Sequence, residues 1–183
     1  MSASLARSVA VVIERRACDN PWLDWQWSAS AIVLDPEMQG DWRLLYESEG
    51  LRRFLSPTLN LELHRAETTG YLENLNSPAP AVFVVLRENE EGGRTVPFDV
   101  HLVTFNPFEA QDYLDSSEET VERVVTSEEA VAWLAEFCRR HHKGEVFKKR
   151  RRDRHDVEAH DFGQEPVVEL RRRGLVNGSE AGR

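Results

Sequence analysis

Cysteine and methionine are scarce in this 183-residue chain, with two of each, and long apolar runs are missing. Two cysteines, Cys18 and Cys138, cannot build a disulfide framework, which excludes the small secreted scaffolds that depend on one. The apolar stretch near the start, residues 9–13, falls far short of the ~20 residues a membrane-crossing helix needs. No small-residue cleavage site follows it. A cytoplasmic location without a membrane span is therefore expected. The familiar catalytic signatures are missing too: there is no glycine-rich phosphate loop, no Gly-x-Ser-x-Gly elbow and no Cys-x-x-Cys pair. No cofactor is expected, and enzymatic activity is left open with the balance against it.

What the chain has in quantity is charge, at 30% of residues with a net of -9. It is unevenly placed. Through residue 147 there are 13 Lys and Arg against 25 Asp and Glu; from 148 onward there are 10 against 7. The change falls at Lys148-Lys149-Arg150-Arg151-Arg152-Asp153-Arg154. An acidic body repels phosphate backbones at long range, so nucleic acid is not an expected partner. The basic run alone has the charge to touch nucleic acid, an anionic membrane or an acidic protein, and a solvated linker has the same composition. The expected organisation is one α+β globular domain over 1–147 and a basic, largely disordered tail over 148–183. Within the tail, Pro166-Val167-Val168-Glu169-Leu170-Arg171 has the pattern of a segment that docks on a partner.

Strand signals dominate the first two thirds. Residues 9–13 are β-branched and suit a central strand ending at Glu14-Arg15-Arg16. After the Asn20-Pro21 break, 25–34 alternates with a period of two and stops at Asp35-Pro36. Residues 42–46 form another candidate. Thr58 to His64 alternates cleanly, with Leu59, Leu61 and Leu63 one way and Asn60, Glu62 and His64 the other. A strand is expected at 70–75. Val82-Phe83-Val84-Val85-Leu86 reads as a strand buried on both faces, paired through Glu91-Gly92-Gly93-Arg94 with 98–105. Helices come late. Asn106-Pro107 opens one through Leu114, and Thr126-Ser127-Glu128-Glu129 reads as a capping box. Behind that box Ala130, Trp133, Leu134, Phe137 and Cys138 make an apolar stripe ending at Gly144. The expected fold class is α+β: an antiparallel sheet, flat or curled toward a barrel, packed by one or two C-terminal helices.

Several residues group into candidate sites. Glu62, His64, Arg65, Glu67 and Tyr71 put a carboxylate, an imidazole and a guanidinium within a few positions, enough to hold an anion or move a proton. An exposed strand face with its own charge pairs explains the same residues. Cys138, His141 and His142 have a helical metal-ligand spacing. A closed zinc site wants four ligands, with His64 or Cys18 as the missing one. An apolar cysteine beside surface histidines accounts for the same three, and no metal is expected. Glu109, Gln111, Asp112, Asp115, Glu118, Glu119 and Glu122 form an acidic belt, on one helix surface if that helix continues. Trp25 and Trp27 are expected to face inward, and Trp22, after Pro21, to be an exposed contact.

Val11-Val12-Ile13-Glu14-Arg15-Arg16, Asn20-Pro21-Trp22, Leu61-Glu62-Leu63-His64-Arg65-Ala66-Glu67-Thr68, Gly70-Tyr71 and Asn74-Leu75 carry a family resemblance. It continues through Val84-Val85-Leu86-Arg87, Phe108-Glu109-Ala110-Gln111-Asp112-Tyr113-Leu114-Asp115, His141-His142 and Phe147-Lys148-Lys149-Arg150. Together they resemble a proteobacterial family designated domain of unknown function three-three-zero-five. Members are typically encoded beside formate dehydrogenase and molybdoenzyme maturation components. The resemblance implies a non-catalytic accessory protein in molybdoenzyme assembly, with formate dehydrogenase or its maturation components as the protein partner. Trp22, the 62–71 surface and the basic run would be its contacts. A label for attaching a nucleotide to the molybdenum cofactor occurs in the family, but that chemistry needs a phosphate loop and metal-binding carboxylates that this chain lacks. The alternative function is binding or hydrolysis of a small molecule by Glu62, His64, Arg65 and Glu67; a nucleic-acid-binding regulator ranks behind both.

Overall fold

β1 (Ser4–Asn20) runs for 17 residues and organises a sheet around itself. The computed structural model describes residues 4–20, 23–37, 40–89, 95–116 and 118–143. Trp22, the tail 148–183 with Lys148, Lys149, Arg150, Arg151 and Arg152, the domain boundary at 147 and the turn at 91–94 lie outside the described residues.

One edge of β1 pairs with β2 (Leu23–Leu34). Its other edge is long enough for two partners in succession, β5 (Leu59–His64) beside Ser4 to Val9 and β4 (Leu51–Leu55) beside Val12 to Arg16. β3 (Arg43–Ser48) adds to β4 and ends the sheet, in the order β2-β1-β4-β3. A second sheet has β6 (Ala81–Glu88) between β7 (Phe98–Thr104) and β8 (Thr120–Val125). Every pairing is antiparallel. The helices are α1 (Thr68–Leu75), entered through a 3-10 turn at Arg65–Glu67, α2 (Pro107–Ser116) and α3 (Glu128–His141).

Alternation places the core. Val9, Val11 and Ile13 of β1, with Leu61 and Leu63 of β5, meet Val82, Val84 and Leu86 of β6. α3 closes the same core with Ala130, Leu134, Phe137 and Cys138. Each fully buried large apolar side chain here contributes about 1.5–3 kcal/mol relative to exposure. β6 is buried on both faces, as its unbroken apolar run predicts, and α2 lies against its sheet.

The α+β class holds, while the sheet is not one curled ribbon. β2 lies against β8 and β5 against β7, but no hydrogen-bonded ladder joins them and the described residues form no closed barrel. α1 is the reason: it occupies the stretch expected to be a strand at 70–75, so β6 starts a separate sheet. Its Gly70 sits against Asn106, and its Asn74 binds the backbone of β6, tertiary contacts that outweigh the strand preference of the local sequence.

Charge placement also departs from expectation. β1 does not stop at Ile13; Glu14 is buried, its Oε1 accepting from Arg16 Nε at 3.1 Å and its Oε2 from Arg53 Nε at 2.8 Å. α3 is capped one residue later than the capping box implied, by Ser127, whose Oγ accepts from the Ala130 N–H at 3.3 Å. Glu129 is thereby free to meet Arg7 at 2.7 Å. α3 closes at His141, before the expected stop. α2 ends at Ser116, so the acidic belt does not follow one helix: Glu122 lies on β8.

Candidate functional site

β5 delivers the polar cluster just as a strand should. Leu61 and Leu63 point into the core, and Glu62 and His64 share the outer face, His64 Nε2 standing 3.3 Å from Glu62 Oε2. Across the ladder they face the small residues Ala6 and Ser4, which leave them open to solvent. Arg65 begins the 3-10 turn and is exposed.

Glu67 and Tyr71 form a second pair. The Tyr71 hydroxyl donates to Glu67 Oε2 at 2.8 Å and accepts the backbone N–H of His64 at 3.1 Å. The Tyr71 ring is fully buried, edge-on to Phe137 at 6.2 Å. Burial pushes its phenol far above the ordinary range, with the hydrogen bond and charge of Glu67 adding to the rise and the His64 N–H opposing it. Tyr71 therefore holds the turn in place and supplies no proton near neutrality. The two pairs meet only through the His64 backbone. Four spaces among the described residues, of about 490, 560, 460 and 430 Å³, open elsewhere and are not lined by Glu62, His64 or Arg65.

The Cys138, His141 and His142 side chains turn to different neighbours. Cys138 is 3% exposed in the core, and desolvation raises its thiol to about 11. The His141 ring lies 4.7 Å from that of Phe137, and His142 Nδ1 is 3.1 Å from Thr68 Oγ1. Among the described residues no group of three or more His, Cys, Asp and Glu side chains is placed to hold a metal ion. An open space of about 560 Å³ between α1 and α3 is lined by Leu72, Leu75, Cys138 and His142, and another of about 460 Å³ by Phe83, Phe108 and Arg123.

Sequence reasoning did not single out a run of exposed apolar side chains among the described residues. On β3, Leu44, Leu45 and Tyr46 are 46%, 46% and 49% exposed. The ladder with β4 skips from Leu44 to Tyr46, a bulge at Leu45. Leu45 and Tyr46 consequently line one shallow space of about 430 Å³ together with Val12, Ser30, Ala31 and Arg53. The signal was present as Leu-Leu-Tyr without alternation, a pattern that no single buried face explains.

An antiparallel two-sheet α+β domain with a solvent-facing apolar edge strand is thus defined. Residues 8–151 match the family described as Protein of unknown function (DUF3305), and the chain belongs to that family. The matched span runs from β1 through α3 and takes in Lys148, Lys149, Arg150 and Arg151. Comparison with curated proteins and with solved structures gives no match. No described helix is long and apolar enough to cross a membrane.

Proposed function

We propose that the protein acts by contact, as a non-catalytic accessory that docks on a protein partner through β3. The exposure of Leu44, Leu45 and Tyr46 on a sheet edge carries this reading. Natural edge strands are normally blunted with charge, and three adjacent large apolar side chains there are a liability unless something covers them. The outward Glu62–His64 pair supplies polar contacts on the same sheet. The family resemblance supports formate dehydrogenase or its maturation components as the partner and the cytoplasm as the location; Trp22 and Lys148 to Arg152 would add contacts.

Deletion of the encoding gene should lower formate dehydrogenase activity and its molybdenum content. The wild-type chain should restore both, and the double variant Leu45→Lys, Tyr46→Lys should not. Unchanged activity and metal content in the deletion strain would overturn the proposal.

A further inference from the structure

The two faces of the five-stranded sheet are unequally covered. Val9, Val11 and Ile13 of β1 pack with the second sheet and α3. The other face of β1 presents Val12 and Glu14, and large apolar side chains stand in solvent on either side. Val33 of β2 is 38% exposed, and Leu45 and Tyr46 of β3 are 46% and 49% exposed. Val12 lies opposite Ala31 and Leu55; Glu14 lies opposite Ser28 and Arg53, and Arg53 opposite Tyr46. Small residues make the floor, Ser30 and Ala31 beside Val12, while Leu45 and Tyr46 rise along β3. The space of about 430 Å³ is therefore a shallow trough. Ser30 Oγ donates to the Val12 carbonyl at 3.2 Å, which ties that hydroxyl down within the sheet.

Whatever covers such a trough must satisfy its own backbone, because the face of a sheet, unlike its edge, offers no N–H or C=O to pair with. A helix meets that condition and a lone extended segment does not. Its width also suits: β2 and β3 are three strand spacings apart, about 14 Å, and an α-helix with its side chains is about 10–12 Å across. Charge selects the kind of helix. On β1, β3 and β4 the registers put Arg16, Arg43 and Arg53 on this face, with Glu14 as the one carboxylate. Arg16 and Arg53 both turn to Glu14, so one buried carboxylate is shared by two guanidinium groups that are 64% and 46% exposed. Arg53 also borders the trough and lies 5.9 Å from the Tyr46 ring. A surplus of positive charge beside apolar side chains, on a chain whose net charge is -9, complements an acidic partner.

We propose that this trough docks an acidic amphipathic helix of a partner protein. The apolar stripe of that helix lies on Val12, Leu45 and Tyr46, with anchors spaced i, i+3 or i+4, i+7. Its Asp and Glu residues meet Arg53 and Arg16. The proposal rests on the reading of β3 as a contact surface and names the chemistry of what covers it.

The test titrates the full chain against fluorescently labelled peptides of about 18 residues, five helical turns, read by anisotropy. One carries leucines along one helical face and glutamates on the other. A second has lysine for every glutamate, and a third is the acidic peptide with two interior prolines. The acidic helix should saturate. The lysine and proline peptides should bind about tenfold more weakly or worse, the one reversing the charge match and the other breaking the helix. Arg53→Gln should weaken the acidic peptide. Because that change strips Glu14 of a partner, the exposed double variant Leu45→Ser, Tyr46→Ser must weaken it as well, whereas Leu114→Ser on α2, equally exposed, must not. Absence of saturation, preference for lysine, or indifference to the β3 variant would overturn the assignment. Equal binding of the proline peptide would overturn it too, in favour of an extended segment on the β3 edge. A dimer of the chain alone in sedimentation, dissociated by the acidic peptide, would give the face to a second copy instead. Failure of the acidic peptide while Leu45→Lys, Tyr46→Lys still loses complementation removes the helix and leaves the contact reading standing.

Discussion

A methyl group placed on Gly70 would stand 2.3 Å from Oδ1 of Asn106 and 3.0 Å from its Cγ. Asn106 cannot give way cheaply, because Oδ1 accepts the Phe108 N–H at 3.1 Å as the cap of α2, and its own N–H is held by Thr104 Oγ1 at 3.0 Å. The contact thus locks α1 to the start of α2.

Gly70→Ala should therefore destabilise the fold even though alanine is the better helix former. Helix preference favours the substitution by about 1 kcal/mol, while forcing an atom into a packed contact costs about 1–3 kcal/mol, and loss of the α2 cap adds about 1 kcal/mol. Urea unfolding should show a lower midpoint with an unchanged slope. An unchanged or higher midpoint would refute the close approach.

Asn74 is expected to be the most sensitive polar position. Its Nδ2 donates to the carbonyls of Ala81 at 2.6 Å and Phe105 at 2.8 Å, and its Oδ1 accepts the Ala81 N–H at 3.0 Å. Asn74→Ala would leave three buried backbone groups unpaired, each worth about 1–3 kcal/mol. The loss should be about 3 kcal/mol or more, read from chemical denaturation; under about 1 kcal/mol would contradict the geometry.

Glu14 predicts the acid limb of stability. The hydrogen bond from Arg16, then that from Arg53, holds its carboxyl below the usual value of 4.5, against the opposing effect of burial. The unfolded chain therefore takes up this proton first as pH falls. The contribution of Glu14 is fully present above pH 4.5 and is lost as pH drops through the lower folded value. Both arginines are about half exposed, which limits the gain to about 1 kcal/mol. Glu14→Gln should flatten the stability curve below pH 4.5 relative to wild type.

Cys138 sets an alkaline counterpart. Its thiol ordinarily ionises near 9.0 and is raised to about 11 by burial, so the unfolded state releases the proton first. The associated stability is complete below pH 9.0 and declines up to about 11. Cys138→Ala should flatten that segment of the curve. A thiol reagent at neutral pH should modify the half-buried Cys18 ahead of Cys138, and rapid modification of both in the native state would argue against the core position.

Much of this architecture was legible, and the failures share a cause. β5 and α3 could be read because the residues that decide them, Leu61 and Leu63 or Leu134 and Phe137, lie within one period of each other. β1 looked finished at Ile13 because one partner of Glu14 is Arg53, 39 residues away. β4 was hidden by Arg52 and Arg53, whose charges are neutralised only by Glu47 and Glu14. In the polar cluster, alternation foretold that Glu62 and His64 share a face. It did not foretell that Tyr71 turns back beneath them on a helix. The stacking of the Arg15 guanidinium on Trp25, at 4.1 Å, and Trp27, at 5.7 Å, needed the register of β1 against β2, which no local pattern specifies.

The Arg7 guanidinium joins Asp35, at the end of β2, to Glu129 in the first turn of α3, and lies 5.6 Å from the Trp133 ring. During synthesis this means the earliest strand waits for the latest helix. Until Glu129, 122 residues further on, has left the ribosome, the inward side of β1 lacks the part of its cover that α3 supplies and its arginine half its clasp. A nascent chain stalled before α3 would thus leave bare the part of the core that Leu134 and Phe137 close, the kind of surface that holdase chaperones recognise.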